Sequence, residues 1–337
     1  MLRNRLPAGS LSPGMMSLVR REELATYEIG QRIRGVRESR GMTQEELADG
    51  ICSTGTLSKI ENGLQVPKRK TFTALMQRLG EPEYLYSIHL SREEMQEMKI
   101  CRQIERSIWK EDFVKTKELL EEYKSFLSGN KILENQCYRM MWASLHAKQN
   151  ENPHQVMQEF EEALRITIKD YPNILPSKRQ WLTFEEISIL NNIAVQYYRI
   201  GEITKSFSYI KWLKEYLEQT NMDEETLAKV YLVVLCNYAE ILWVNGQAEE
   251  AHAIASHGIE LCKEYAQFMV LPHFLIVMAR SFVWKGKAKE AEECLRQAES
   301  LFCIMDCYGA LEQLRENNRE NLTLLLSVCI ALLYAKG

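Results

Sequence analysis

The segment TQEELADGICSTGTLSKIENG, residues 43–63, predicts two short helices joined by a tight turn. Thr43 and Glu46 have the spacing of a capping box, which starts the first helix. A glycine interrupts that helix, and either Ser53 or Thr54 can cap a second one. The Asn-Gly pair at the end of the segment stops the second helix, because both residue types tolerate the left-handed conformation. Two helices in this arrangement form a helix-turn-helix.

The outward surface of the second helix is small and polar. The side chains predicted to face outward are Ser53, Thr54, Thr56, Ser58 and Lys59. Such a helix fits the major groove of DNA, where hydroxyl groups and a lysine reach base edges. Three basic residues follow it, and we predict that they hold phosphates and fix the register of the helix: Lys68, Arg69 and Lys70. The basic cluster alone would be more typical of a solvated loop, so the prediction of DNA binding depends on the helix pattern before it.

The charge of the chain is unevenly distributed. The net charge is −4, yet residues 28–79 hold nine Lys or Arg against six Asp or Glu. The first 27 residues add four Arg against two Glu, so the chain beyond residue 79 is acidic. A basic N-terminal segment followed by an acidic remainder indicates that the N-terminal segment binds a polyanion and the remainder does not.

The composition favours a soluble intracellular protein of two domains. The chain has 337 residues, of which 46% are hydrophobic and 26% charged. Residues 1–26 are basic, contain Pro and Gly, and are predicted to be a disordered tail rather than a signal peptide. Met15 or Met16 is an alternative start. The nine cysteines include no C-x-x-C pair, which favours reduced thiols in the cytoplasm.

The sequence carries no motif of an enzyme or of a membrane protein. It has no glycine-rich phosphate loop and no nucleophile elbow. The six histidines do not pair with cysteines or carboxylates at metal spacing. No uninterrupted apolar run has the ~18 to 20 residues of a membrane span. We therefore predict a non-enzymatic protein with no cofactor, no bound metal and no contact with a membrane.

The stretch IGQRIRGVRESRGMTQEELADGICSTGTLSKIENG, residues 29–63, resembles the helix-turn-helix domain of phage Cro/C1-type repressors, the xenobiotic-response-element family. The likeness covers residues 28 to 80 and leads us to assign residues 27–90 to this domain, called the head below. The resemblance implies that Gln44 touches phosphate and braces the recognition helix. It also implies base contacts from Ser53, Thr54 and Lys59.

Two further positions of the head follow from the same resemblance. Arg37 and Glu61 match a pair that forms a partly buried, structural salt bridge, in which loss of one partner would strand a charge. Gly55 stands where many members of the family carry a base-reading side chain. Without a side chain there, sequence readout would be weaker or would depend on DNA shape.

Residues 91–337, called the repeat domain below, show an internal repeat. The segments 192–213, 237–259 and 277–301 align on a small residue, an aromatic or Leu three positions on, a Gly four further and a second small residue five later. The matching residues are Ala194, Tyr197, Gly201 and Ser206; Ala239, Leu242, Gly246 and Ala251; and Ala279, Phe282, Gly286 and Ala291.

This pattern resembles a slightly lengthened tetratricopeptide repeat. Helix pairs at 93–127 and 134–169 have the look of degenerate repeats, and residues 318–335 are predicted to cap the stack. The fold class that follows is all-α: a five-helix helix-turn-helix domain, then a tetratricopeptide-like α-solenoid. An unrelated helical bundle is the alternative.

Solenoids of this kind present the first helix of each repeat on a concave face. Asn192 and Asn237 both lie two residues before the small Ala, and in peptide-binding tetratricopeptide proteins this position often carries an Asn that grips the peptide backbone. An amide suits that role because it offers both a donor and an acceptor. The third repeat has Val277 there. Other predicted peptide contacts lie one turn along the same helices: Tyr198, Arg199, Glu240, Trp243 and Arg280. Alternatively, the two Asn only hydrogen-bond within the stack.

A helix-turn-helix head joined to a tetratricopeptide-like domain is similar to the peptide-pheromone regulators of Gram-positive bacteria, the Rgg/PlcR-like group. The resemblance implies a cytoplasmic homodimer of the quorum-sensing type that binds a palindromic double-stranded DNA operator. A short signalling peptide in the concave groove would control it. Two alternatives stay open: the repeat domain docks a protein partner such as a toxin, or it serves only for dimerisation.

Overall fold

The computed structural model describes residues 28–82, 90–127, 131–171, 182–220 and 224–320, and all regular elements within these ranges are helices. The predicted tail over residues 1–26 and the predicted turns at 84–88 lie outside the described residues. Most of the predicted cap at 318–335 lies outside them as well.

The head contains four described helices around one apolar cluster. They are α1 (residues 28–39), α2 (Gln44–Ala48), α3 (Thr54–Glu61) and α4 (Arg69–Arg78). Thr43 and Glu46 form the predicted capping box of α2. Ser53, rather than Thr54, caps α3 through its side chain. The residues of the cluster come from all four helices and include Ile33, Leu47, Leu57, Ile60, Phe72 and Leu75.

The repeat domain is a row of antiparallel helical hairpins. Its helices are α5 (Arg92–Trp109), α6 (Phe113–Tyr123), α7 (Ile132–Lys148), α8 (Pro153–Arg165), α9 (Phe184–Arg199), α10 (Ile203–Glu218), α11 (Glu224–Val244), α12 (Ala248–Glu264), α13 (Leu271–Trp284), α14 (Ala288–Ile304) and α15 (Tyr308–Glu320). Each helix packs mainly against the helices next to it along the chain. This is the contact pattern of a repeat protein.

The turn inside each hairpin requires a left-handed residue. Gly201, Gly246 and Gly286 supply it in the three repeats found in the sequence, with φ of +85°, +81° and +71°. Glu111 and Asn150 take the same place in the α5–α6 and α7–α8 hairpins, with φ of +57° and +55°. The two degenerate repeats are thus regular hairpins, although they lack the glycine that marks the others.

Helix α11 is the longest helix of the repeat domain among the described residues, and it is strongly apolar. Its window Leu227–Val244 is long and apolar enough to cross a bilayer by length and composition, and 67% of that window is buried inside the protein. This extent of burial is typical of a core helix that is apolar on several sides. Residues of α11 accordingly join the largest hydrophobic cluster of the chain.

The head packs directly on the repeat domain. Arg78 pairs with Glu186 at 3.3 Å and also donates to the backbone carbonyl of Asp49. The backbone N–H of Phe184 donates to Oε1 of Gln77 at 3.0 Å, so the head supplies a partner for the first residue of α9. The contacts involve α4 together with the turn between α2 and α3.

The first and last described hairpins of the repeat domain also meet. Nζ of Lys110 lies 2.9 Å from Oδ2 of Asp306. The carboxylate of Glu111 lies so near Gly309 that a Cβ atom there would be 1.9 Å from Oε2. Trp109 packs against the cluster formed by α13, α14 and α15. The turn between α5 and α6 is therefore in contact with the turn between α14 and α15.

Candidate nucleic-acid interface and ligand site

The recognition helix α3 presents a short polar surface. Thr54 and Lys59 are exposed, while Thr56 and Ser58 are half-buried. The Ser53 hydroxyl accepts the Thr56 backbone N–H at 3.1 Å and lies 2.9 Å from the Thr56 hydroxyl, so these two hydroxyl groups are engaged with each other. Of the predicted base-reading side chains, Thr54 and Lys59 are thus the most accessible.

Glu61 holds the recognition helix to the two helices before it. Its carboxylate is fully buried and accepts from Nε and Nη2 of Arg37 at 2.6 and 3.0 Å. Nε2 of Gln44 donates to the same carboxylate at 2.7 Å. The hydrogen bond to Glu61 raises the pKa of Arg37. A bidentate pair with a third donor fixes α3 in position relative to α1 and α2.

The basic cluster after the recognition helix divides between two surfaces. Lys68 is exposed, whereas Nζ of Lys70 lies 2.8 Å from Oε1 of Glu97 and 2.6 Å from the Tyr123 hydroxyl. The ammonium of Lys70 is therefore not free for the phosphate contact predicted from the sequence, because a nearly buried carboxylate of the repeat domain holds it. The backbone N–H of Arg69 likewise donates to Glu94. The sequence could not reveal this, since it does not say which side of α4 meets the repeat domain.

The two asparagines predicted to grip a peptide are buried rather than open to solvent, each with 1% exposure. Nδ2 of Asn192 donates to the Ser188 carbonyl at 2.9 Å, and Nδ2 of Asn237 donates to Oδ1 of Asn191 at 3.0 Å. Each amide thus donates within the repeat domain, as the alternative interpretation expected. Among the described residues, Oδ1 of Asn192 and Oδ1 of Asn237 have no hydrogen-bond partner.

Further buried polar atoms without a partner among the described residues lie on α7 and α9. Ser188, Asn192 and Gln196 lie at i, i+4 and i+8 on α9 and therefore share one face of that helix. The buried atoms without a partner among the described residues include Ser144 Oγ, Ser188 Oγ, Asn191 Nδ2 and Gln196 Nε2. The sequence analysis missed all four residues. The polar stripe along this face of α9 was the signal that could have identified two of them, Ser188 and Gln196.

A buried ion pair joins α11 to α13 one helical turn beyond this row. Nη1 of Arg280 lies 2.5 and 2.6 Å from the two carboxylate oxygens of Glu240, and the residues are 2% and 3% exposed. Burial raises the pKa of Glu240, and Arg280 partly opposes that shift. Tyr198 is half-buried nearby, and burial followed by the charge of Glu240 raises its pKa. The structure brings these three predicted residues together.

The remaining predicted contact residues have structural partners. Arg199 donates to the Ala147 carbonyl and to Oδ1 of Asn150, both at 3.2 Å, and so binds α9 to the preceding hairpin. Trp243 is half-buried and packs against the largest hydrophobic cluster. Nη1 of Arg199 also donates to Oε1 of Gln196 at 3.3 Å.

Comparisons with known proteins bear on both domains. The family described as Helix-turn-helix matches residues 33–85. No curated protein sequence matches the chain. Among solved structures, the chain is similar to Bacillus thuringiensis PlcR in complex with the peptide PapR7 and DNA. The TM-score is 0.57 at 17% identity, over 86% of this chain and 99% of that one.

The apo form of the same PlcR gives a TM-score of 0.51 at 15% identity, over 86% of this chain and 98% of that chain. ComR from S. thermophilus, solved with DNA and its signalling peptide ComS, gives 0.45 at 15% identity, over 86% and 98% of the two chains. The chain thus has the overall fold of PlcR, and its residues 33–85 form a domain of the helix-turn-helix family.

Proposed function

We propose that this protein is a cytoplasmic, homodimeric, DNA-binding transcription regulator, and that a short signalling peptide bound inside the repeat domain controls it. The observation that supports peptide binding is the row of buried polar atoms on α9 and α11. The most important of these atoms are Oδ1 of Asn192 and Oδ1 of Asn237. A buried polar atom without a partner costs about 1–3 kcal/mol. Several such atoms on one face favour an occupant that brings its own donors and acceptors.

An extended peptide has the required chemistry. Its backbone offers one N–H and one C=O at nearly every residue, and these groups can satisfy amide and hydroxyl side chains in turn. PlcR, which has the same fold, has been crystallised with a peptide and DNA together. We extend that combination to this chain as part of the proposal.

The head supports the DNA-binding part of the proposal. One recognition helix with two accessible polar side chains, Thr54 and Lys59, makes few base contacts. Useful affinity therefore requires two heads on a two-fold operator. The buried contacts between head and repeat domain offer a physical connection between ligand and DNA. A peptide shifts the arrangement of the heads only if it binds one arrangement more tightly than the other.

A repeat domain that only dimerises, or that docks a protein partner, is the second candidate. Exposed apolar side chains near the end of the described chain favour it, because such side chains mark interaction surfaces when they lie together. They are Val283, Trp284, Ile304 and Tyr308. This candidate predicts DNA affinity that does not respond to any peptide.

The two candidates are separated by fluorescence anisotropy on DNA taken from upstream of the protein's own gene. Synthetic peptides from neighbouring small reading frames are added to the parent protein and to Asn192→Ala and Asn237→Ala. Asn245→Ala is the matched control, because Asn245 is exposed and bonds only to nearby Gln247 among the described residues. We expect a peptide to change the DNA affinity or stoichiometry of the parent and of the control, but not of the other two variants.

An equal response of all four proteins to a peptide would contradict binding of that peptide at Asn192 and Asn237. DNA affinity unaffected by every peptide would favour the second candidate. Thermal unfolding of each variant is measured in parallel, so that loss of the response is not confused with loss of the fold.

A further inference from the structure

The guanidinium of Arg280 uses only one of its three nitrogens. Nη1 contacts both carboxylate oxygens of Glu240. Within the described residues, Nε and Nη2 of Arg280 make no hydrogen bond, although the residue is 2% exposed. A buried cation with three N–H groups that make no hydrogen bond is costly, so this arrangement is expected only where something else supplies acceptors.

The two idle nitrogens form one edge of the guanidinium. The N–H of Nε and one N–H of Nη2 point in parallel from the planar group, at the spacing of the two oxygens of a carboxylate. Glu240 occupies the opposite end of the guanidinium through Nη1. The edge that best forms a two-point contact with a carboxylate thus has no hydrogen-bond partner among the described residues.

The residues around this edge are suited to a peptide that carries a carboxylate. Asn237 lies one helical turn before Glu240 on α11, and its Oδ1 accepts no hydrogen bond from the described residues. A peptide that places a carboxylate on Arg280 has backbone N–H groups nearby that can donate to such an oxygen. Tyr198 of α9 is close enough to sense the charges of both Glu240 and Arg280.

Glu240 does not exclude a second carboxylate from the site. It contacts the far end of the guanidinium, so the cation lies between the two acids. Burial also raises the pKa of Glu240, which lowers the cost of its taking up a proton when another acid arrives.

We propose that the Nε–Nη2 edge of Arg280 is a carboxylate-binding subsite, and that the signalling peptide engages it through its C-terminal carboxylate or an Asp or Glu side chain. The inference rests on the proposed peptide function and names the chemistry of the ligand. A lysine in place of Arg280 would keep the charge opposite Glu240 but would lack the two-point edge.

The test is affinity selection of synthetic heptapeptide pools, read by mass spectrometry. The first pool has free C-termini and all side chains. The second has C-terminal amides, and the third has amides and no Asp or Glu. The full-length protein is compared with Arg280→Lys and with Arg296→Lys, a control at an exposed arginine. Direct titration with the best retained peptide then gives its Kd.

We expect the parent and the control to retain acidic peptides and to discard the third pool. Arg280→Lys should weaken binding of the best acidic peptide by about tenfold or more. Retention from the first pool alone identifies the C-terminus, and retention from the second identifies a side chain. Should Arg280→Lys fail to fold, the pair Arg280→Met with Glu240→Met removes both charges together and is expected to show the same loss.

Three results would overturn the inference. If the parent retains peptides from all three pools equally, or if the Arg280 variants bind the best peptide as the parent does, the subsite is absent while the proposed peptide function stands. If the parent retains no peptide from any pool, the proposed function fails and the subsite fails with it.

Discussion

The guanidinium of Arg78 in the head lies 3.3 Å from the carboxylate of Glu186 in the repeat domain, and the two side chains are 3% and 0% exposed. Glu186 also closes the capping box at the start of α9, where Gln77 of the head accepts the first backbone N–H of the helix. The head therefore contributes to the end of a helix that carries part of the candidate ligand site. Separation of the two domains would break both of these buried contacts.

Removal of Arg78 should destabilise the protein strongly. Arg78→Ala leaves the Glu186 carboxylate buried without its cation, which costs about 3–5 kcal/mol. The double variant Arg78→Met with Glu186→Met should recover most of that loss. The measurement is the free energy of unfolding in urea. Lys205→Ala, which breaks the exposed Lys205–Glu202 pair, is the control and should cost less than about 1 kcal/mol. A loss for Arg78→Ala no larger than that of the control would contradict burial of the pair.

A glycine in the turn of the helix-turn-helix should be sensitive to a single added methyl group. Gly50 has φ of +72°, and a Cβ there would lie 2.5 Å from the Thr167 carbonyl oxygen in the repeat domain. Gly41 has a nearly equal φ of +68° with no atom within 4 Å of such a Cβ, so it is a matched control. Gly41→Ala should cost about 1–2 kcal/mol from backbone strain. Gly50→Ala should cost more and should speed proteolytic cleavage between head and repeat domain. Equal thermal shifts for the two variants would show that the turn does not pack on the repeat domain.

The two lysines that flank Arg69 should act differently on DNA. Lys68→Ala should reduce the slope of log K against log salt by about 1, because an exposed lysine can neutralise a phosphate. Lys70→Ala should leave that slope unchanged and should instead lower the melting temperature, since Lys70 pairs with Glu97. Anisotropy titrations between low and physiological salt provide the slopes. A reduced slope for Lys70→Ala would restore the phosphate role predicted from the sequence.

His273 should make the protein sensitive to acid. Burial, followed by the charge of Lys148, lowers its pKa to about 3, against about 6.5 in an unfolded chain. Between these values the unfolded state binds a proton that the folded state does not bind. Stability is therefore full above pH 6.5 and falls as the pH drops toward 3, by about 2 kcal/mol at pH 5 from this residue.

The replacement His273→Phe keeps an aromatic ring beside Phe302 and cannot titrate. We expect the difference in unfolding free energy between pH 7 and pH 5 to shrink in this variant. His154→Gln changes an exposed histidine and serves as the control. An unchanged difference in His273→Phe would mean that the imidazole is accessible to protons in the folded protein.

The features predicted well from the sequence are those set by neighbours along the chain. The capping box at Thr43 and the left-handed glycines at 201, 246 and 286 follow from local backbone chemistry. The side of α4 to which Lys70 turns was not predictable, because a distant carboxylate at position 97 decides it.

The same limit applies to the ligand site. The spacing of Asn192 and Asn237 placed both residues on inner helices, and the structure adds that both are buried and partly satisfied by their own stack. The contribution of Ser188 and Gln196 depends on which face of α9 is enclosed, and that is set by the neighbouring hairpins. A pattern that requires glycine at the turn misses the hairpins that use Glu111 and Asn150. Residues other than glycine can adopt the left-handed conformation there at moderate cost.

The contact of Lys110 and Glu111 with Asp306 and Gly309 changes how the row of hairpins unfolds. In an open row the terminal units have one neighbour each and fray first. Here each of the two described ends has a second neighbour, so opening either one breaks two interfaces. Unfolding should then spread through the whole row in one cooperative transition instead of beginning at an end.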